Sequence, residues 1–255
     1  MKTALITGAS SGIGWATAKA LAKDFRLILC GRRQERLEQL AHELVDTPTQ
    51  ILTFDVADKQ AVFEAINSLP DDWKQLDVLV NNAGNAHGLA SFQEADLTDL
   101  EMMIDINVKG LIYVTKACLP YLSKQKNSHI INLSSIAGKQ VYANGATYCA
   151  SKWAVEALTQ GMRIDFLPLG IKVTSVAPGA VETEFSLVRF KGDTAKAKSV
   201  YDHYQPLVAD DIARTIKYVL DQPEHVQLAD ITILPKAQAS GTAFNKEIRL
   251  DSVKI

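Results

Sequence analysis

Short apolar runs alternate with longer stretches of helical periodicity along this chain, and no other feature narrows its fold as far. The runs are Thr3–Thr7, Leu27–Cys30, Ile51–Phe54, Val78–Val80, Ile130–Leu133, Ile171–Val176 and Ile231–Leu234. Their apolar residues fall at consecutive positions, as in strands of a parallel sheet covered on both faces. Between them, Arg33–Leu44 places Leu37, Leu40, Ala41 and Leu44 on one helical face, and Lys59–Leu69, Leu97–Lys124, Tyr148–Phe166 and Asp210–Leu220 keep the same period. Repeated strand–helix–strand units require right-handed crossovers, so the expected class is α/β: a doubly wound parallel sheet with helices on both faces. No linker-like tract divides the chain, which reads as a single domain over residues 1–255. Two segments interrupt the alternation. Asn85–Asp96 is a polar loop, and Val181–Val208 is long enough to be a flap.

Composition matters mainly for what it excludes. Of 255 residues, 47% are apolar and 22% charged, with 27 Lys plus Arg against 29 Asp plus Glu. That balance excludes intrinsic disorder and offers no electrostatic footprint for nucleic acid or an anionic membrane. Cys30, Cys118 and Cys149 lie far apart in apolar settings, which fits small buried hydrophobes in a reducing compartment. The apolar stretch before Gly8 is too short for a signal-peptide core, and no run reaches the ~20 residues a spanning helix needs. The expectation is a cytoplasmic protein.

After the first run comes Thr7-Gly8-Ala9-Ser10-Ser11-Gly12-Ile13-Gly14, with a helical pattern from Trp15. Glycines between a first strand and a first helix let the backbone approach a pyrophosphate at the helix N-terminus. The end of the second run selects the nucleotide. A carboxylate there would accept from the ribose 2′-hydroxyl of NAD. This chain has Arg32 and Arg33 instead, which suit the 2′-phosphate of NADP, though a solvated helix start is the alternative. Asp55-Val56 falls where an adenine ring would lie, with Asp55 either an acceptor for its amino group or a helix cap before Lys59. Asn81-Asn82-Ala83-Gly84 offers small and amide side chains where backbone must pass close to a cofactor, or else forms a plain turn.

Tyr148 and Lys152 are four positions apart on an expected helix and so share a face. A free phenol, with pKa ~10, is a poor base at neutral pH. A nearby ammonium is expected to lower it. Ser135, at the end of the fifth run, can hydrogen-bond a reacting carbonyl or alcohol oxygen.

With these motifs the sequence resembles the short-chain dehydrogenase/reductase family over nearly its whole length. Thr7–Gly14, Asn81–Gly84, Asn107 in Ile106-Asn107-Val108, Ser134-Ser135, the Tyr148–Lys152 segment and Pro178-Gly179 with Thr183 carry the likeness. The resemblance implies a Rossmann-type sheet of roughly seven strands and a tetrad of Asn107, Ser135, Tyr148 and Lys152. Within it, Tyr148 is the general acid/base and Ser135 positions the reacting oxygen. Lys152 holds the nicotinamide ribose and tunes Tyr148, and Asn107 orders a water in the proton relay. Pro178, Gly179, Val181 and Thr183 would line the nicotinamide. A narrower likeness covers Gly31–Leu37, Asn107–Leu111 and Thr183–Asp193, which are similar to the NADP-dependent 3-hydroxy acid dehydrogenases. It implies small substrates such as serine, allo-threonine or 3-hydroxyisobutyrate, and a homotetramer. The tail from Lys236 to Ile255 matches less clearly.

Arg189 and Lys191 lie in the flap, where a guanidinium could clamp a substrate carboxylate or stand in solvent. His42, His87, His129, His203 and His225 lack metal-ligand spacing, so no metal is expected, and His87 reads as a surface-loop residue near the pocket. The apolar stripe of Leu97–Lys124 is expected to serve the core and a subunit contact. The expected function is an NADP-dependent oxidoreductase acting on a small 3-hydroxy acid or its carbonyl. A broad NADPH-dependent ketone or aldehyde reductase, or a non-catalytic NADP(H)-sensing protein, are the alternatives.

Overall fold

The computed structural model describes residues 1–245, so the last ten residues of the tail lie outside it. Seven strands form one parallel sheet: β1 (Lys2–Thr7), β2 (Phe25–Gly31), β3 (Thr49–Thr53), β4 (Val78–Asn81), β5 (His129–Leu133), β6 (Lys172–Pro178) and β9 (Asp230–Ile233). Their order is β3-β2-β1-β4-β5-β6-β9. The chain therefore winds outward from β1 first one way and then the other, as the alternation predicts. Two short strands, β7 (Val181–Glu182) and β8 (Leu207–Val208), pair separately at the two ends of the flap segment.

Alternate residues of each strand enter opposite cores. Leu5, Ile28, Leu79, Ile130 and Val173 pack with Ile66 of α3 (Lys59–Asn67) and with Val114 and Cys118 of α5 (Leu111–Leu122). On the other face, Ile6, Leu27, Leu29 and Val80 meet Leu21 of α1 (Gly12–Leu21) and Leu37 and Leu40 of α2 (Gln34–Glu43). Ile212 and Ile216 of α9 (Ala209–Leu220) complete that layer. Each fully buried Leu or Ile contributes ~1.5–3 kcal/mol. Cys30, Cys118 and Cys149 are free and buried, as expected.

Two local expectations need correction, and one open alternative, a cap at Asp55, is removed. Helix α1 begins at Gly12 rather than Trp15, so the last glycines of the loop form its first turn. Asp58, not Asp55, caps α3 by accepting from the Ala61 amide at 3.0 Å. The stretch Leu97–Lys124 is not one helix: α4 (Leu97–Ile104) and α5 are joined by a π-helical segment, Asp105–Gly110. Gly110 there lies so close to the connection after β3 that a Cβ would come within 2.8 Å of Val56. The flap is also more ordered than a loop, since it holds α7 (Glu184–Arg189) and α8 (Thr194–Ser199).

Candidate active site

The sheet order reverses between β1 and β4, and a crevice opens beyond the C-terminal ends of strands at such a point. Here it is a cleft of about 360 Å³. Its first wall is the glycine loop. Gly8 and Gly12 have φ of +67° and +53°, which L side chains rarely adopt. A Cβ on Gly14 would lie 2.3 Å from the Gly8 carbonyl oxygen. Asn82 holds the loop in shape, its Nδ2 donating to the carbonyls of Thr7 at 2.9 Å and Gly8 at 3.3 Å. Helix α1 has no side-chain cap, so its first-turn amides are left for an anion.

Gly8, Ser10, Ser11, Gly12 and Ile13 all line the cleft. Ala9 and Gly14 do not. Ala9 is buried with its amide on the Cys30 carbonyl at 3.0 Å, and Gly14 serves the close packing just described. Arg32, Arg33, Asp55 and Val56 line the next part, followed by Asn82, Ala83 and Gly84. Both guanidiniums already have partners. Arg32 lies 3.3 Å from Asp55. Arg33 reaches Ser10 Oγ at 3.3 Å and crosses to Glu184 of α7 at 2.9 Å. Asp55 also accepts from the Ala57 amide at 3.0 Å. Two arginines beside an uncapped helix and a glycine cradle fit a dinucleotide carrying an extra phosphate.

The groups expected to be catalytic meet at the other end. Ser135, after β5, caps a 3₁₀ turn by accepting from the Ala137 amide at 3.1 Å. Tyr148 and Lys152 project from α6 (Ala146–Asp165), and both line the cleft with Ser135. Lys152 Nζ donates to the Leu133 carbonyl at 3.0 Å and sits 6.0 Å from the Tyr148 ring centroid. Burial pulls this ammonium down to about 8, with Glu156 pulling the other way. The expected lowering of the Tyr148 phenol is not what the protein alone presents. Burial pushes it well above its ordinary value and Tyr142 adds to the rise, while a hydrogen bond with Ser135 and the Arg189 charge oppose it.

Asn107 stands behind this wall. Its side chain both donates to and accepts from the Asn85 backbone, each at 2.8 Å, and donates to Ser151 Oγ at 3.0 Å. Through these bonds it anchors the segment after β4. Gly84 fits between, since a Cβ there would be 3.1 Å from Asn107 Oδ1 and 3.4 Å from Lys152 Nζ. Pro178, Gly179, Val181 and Thr183 line the near side of the cleft. Thr183 caps α7 and faces Gly12.

Arg189 is brought to Tyr148 from the far side. It lines a small adjoining cavity of about 40 Å³ that shares Tyr148 as a wall. Its guanidinium carbon lies 5.5 Å from the Tyr148 ring centroid and 5.8 Å from that of Tyr142. Nε donates to the Gly88 carbonyl and a terminal nitrogen to Tyr142 Oη, both at 3.3 Å, out of the five N–H donors a guanidinium carries. Lys191 lines neither cavity and is paired with Asp99 at 2.8 Å. His87 is not simply a surface residue: it borders the small cavity, and burial lowers its pKa. Sequence reasoning missed Ser134, Ile106 and Glu184, which also line the cleft. Each stood inside a segment that carries the family likeness, beside Ser135, Asn107 and Thr183, but none was singled out. Among the described residues no cluster has metal-binding character, and no helix is long and apolar enough to cross a membrane.

Residues 2–192 match the family model of the short chain dehydrogenase. A serine 3-dehydrogenase from Agrobacterium fabrum is 42% identical over 93% of this chain and 95% of its own. An NADP-dependent 3-hydroxy acid dehydrogenase from Schizosaccharomyces pombe is 40% identical over 93% of both chains. Among solved structures, the closed form of a serine dehydrogenase complexed with NADP+ superposes with a TM-score of 0.91 at 37% identity. That match covers 98% of this chain and all of the other.

Proposed function

This chain belongs to the short chain dehydrogenase family, and on that premise we propose that it is an NADP-dependent oxidoreductase acting on small 3-hydroxy acids or the matching carbonyls. The observation that carries the substrate class is the position of Tyr148, a wall shared by the nucleotide cleft and by the small cavity that holds the Arg189 guanidinium. A molecule with a hydroxyl at Tyr148 and an anion at Arg189 satisfies both. The names of the two curated relatives support the same class.

When bound, NADP supplies the nicotinamide that takes or gives the hydride. The chain does the rest. Arg32 and Arg33 hold the 2′-phosphate, and the uncapped start of α1 holds the pyrophosphate. Ser135 fixes the substrate oxygen, and Tyr148, as the phenolate that the Lys152 and bound-cofactor positive charges would favour, accepts the hydroxyl proton in oxidation and as the phenol returns it in reduction. Lys152 binds ribose and sets a positive charge near Tyr148. Asn107 keeps the segment after β4 in place through Asn85. Arg189 clamps the carboxylate, with Phe185 and Val188 of α7 closing over the pocket as the flap, 181–208, of one catalytic unit. The protein works in the cytoplasm as a homotetramer. Exposed Trp153 and Ile164 on α6, with Leu167 beyond it, supply apolar surface suited to a subunit contact. Sedimentation should then give four times the 27.9 kDa of the chain.

The deciding experiment is Arg189→Met, which keeps much of the stem and removes the charge. It should lower kcat/KM for serine or 3-hydroxyisobutyrate by more than tenfold, a loss of at least ~1.4 kcal/mol of transition-state stabilisation. An uncharged alcohol of similar size should lose little. Parallel losses on both would make Arg189 structural and favour a broad ketone reductase.

A further inference from the structure

One turn beyond Lys152, α6 carries a second buried charge. Lys152 is 6% exposed and Glu156 4%, and their i,i+4 spacing puts them on one face. Glu156 does not line the cleft, so it is free of any binding duty there. Its carboxylate accepts from Ser175 Oγ of β6 at 2.8 Å and from Lys139 Nζ at 3.0 Å. Lys139 lies just after the 3₁₀ turn that Ser135 starts, and it continues to Asp230 of β9. Gly138 lets these parts close up: a Cβ there would come within 2.8 Å of the Lys152 carbonyl oxygen and 3.1 Å of Glu156 Cγ. Four charges therefore alternate in sign from the catalytic helix to the edge of the sheet.

We propose that Glu156 is a positioning residue which, balanced by Lys139, sets the protonation of Lys152 and so the pH range over which Tyr148 can exchange its proton. The inference rests on the roles given above to Tyr148 and Lys152. Lys152's hydrogen-bond acceptor, the Leu133 carbonyl, is uncharged, which leaves Glu156 as the buried counter-charge. The titratable and charged groups around the Tyr148–Lys152 pair are Glu156, which acts on the ammonium directly, Cys149 of α6 and Tyr142 from the connection before it, which act on Tyr148, and Lys139, which pairs with Glu156. Arg189 joins them from the flap and Asp230 from β9. Of the two carboxylates in that set, Asp230 is half-exposed and spent on Lys139. An opposite charge one helical turn away moves a titration by roughly one to three pH units, and the compensating Lys139 charge keeps the net effect near the lower end. Lys152, drawn down by burial to about 8, sits where such a shift changes its charge at working pH.

The test is competitive labelling of Lys152 by an amine reagent in the cofactor-free protein, followed by mass spectrometry across the neutral and alkaline range. Glu156→Gln should move the midpoint to lower pH by about one unit. Lys139→Met, which strips Glu156 of its own cation, should move it the other way. The alkaline limb of kcat should follow both shifts. Midpoints that stay put, or that move together, would overturn the idea and leave Glu156 as a packing element. Should Glu156→Gln fail to fold, the direction of the Lys139→Met shift decides alone. Opposite labelling shifts in a protein that turns over no carbonyl would uphold the charge balance and reject the oxidoreductase reading, so the two failures can be told apart.

Discussion

Tyr148 is packed with its ring 5.8 Å from that of Phe185 and tilted at 57°, while Arg189 lies over it from the side of the small cavity. The ring is thus held by apolar and cationic neighbours, and the hydroxyl is the part the proposed chemistry would use. Tyr148→Phe removes that oxygen and keeps the packing. It should lower kcat by ~10²–10⁴ while leaving the thermal midpoint near the parent value. Steady-state turnover beside a melting curve checks this, and a folded variant with parental kcat would remove Tyr148 from the proton path. Tyr148 and Lys152 were legible in the sequence because the i,i+4 rule fixes their common face without reference to anything distant. Arg189 was legible as a charge but not as a contact. Its partners, Gly88 and Tyr142, are 101 and 47 positions away, and no local pattern encodes that meeting. Glu156 carried no signal at all, since a glutamate in a helix reads as solvated until Ser175 and Lys139 are seen to close on it.

Among the elements, the start of α2 has the most riding on it. Arg33 ties the glycine loop, through Ser10, to the flap, through Glu184, and Arg32 ties β2 to the turn after β3 through Asp55. Exchanging Arg32 and Arg33 together for alanine should raise the Michaelis constant for NADP at least tenfold more than that for NAD. Charge-assisted hydrogen bonds of ~1.5–3 kcal/mol apiece set that scale. Comparable losses with both nucleotides would mean that the pair secures the loop and does not read the phosphate. The strands were legible because continuous apolar runs between polar turns have few other uses. The break between α4 and α5 was not. A π-helical insertion changes the period by one residue over a single turn, which an apolar stripe absorbs without visible disruption. The open role of Asp55 has a similar origin: Asp55 and Asp58 both precede α3, and only backbone geometry shows that Asp58 is the cap.

Across the whole molecule, the sheet stores a pH dependence in His129, buried at the start of β5. Thr174 Oγ1 donates its hydrogen to the Leu228 carbonyl, so His129 Nε2, 2.8 Å from that oxygen, must be the donor in their bond. Burial, with Lys172 nearby, lowers its pKa from 6.5 to about 3. In the unfolded chain the ring takes up a proton as pH falls below about 6.5, whereas the folded protein resists until about 3. Stability from this residue is therefore complete above the unfolded value and is lost progressively between the two. Urea unfolding at pH 7 and pH 5 should differ by about 2 kcal/mol on this account. His129→Gln, which keeps a donor for Thr174, should remove most of that difference, and an unchanged difference would locate the acid sensitivity elsewhere. On the same scale, the flap is fastened at two ends, and the fastenings are not alike. Arg33 and Glu184 are each nearly half exposed, whereas at the other end the part-buried Arg189 is tied to Gly88 twice, its Nε donating to the Gly88 carbonyl at 3.3 Å and its own carbonyl accepting from the Gly88 amide at 2.9 Å. Dissolved ions screen exposed charges over a Debye length of about 10 Å at 0.1 M and reach sheltered ones far less. Rising ionic strength thus unbuttons this flap from one side, letting go over the nucleotide while it still grips above the substrate.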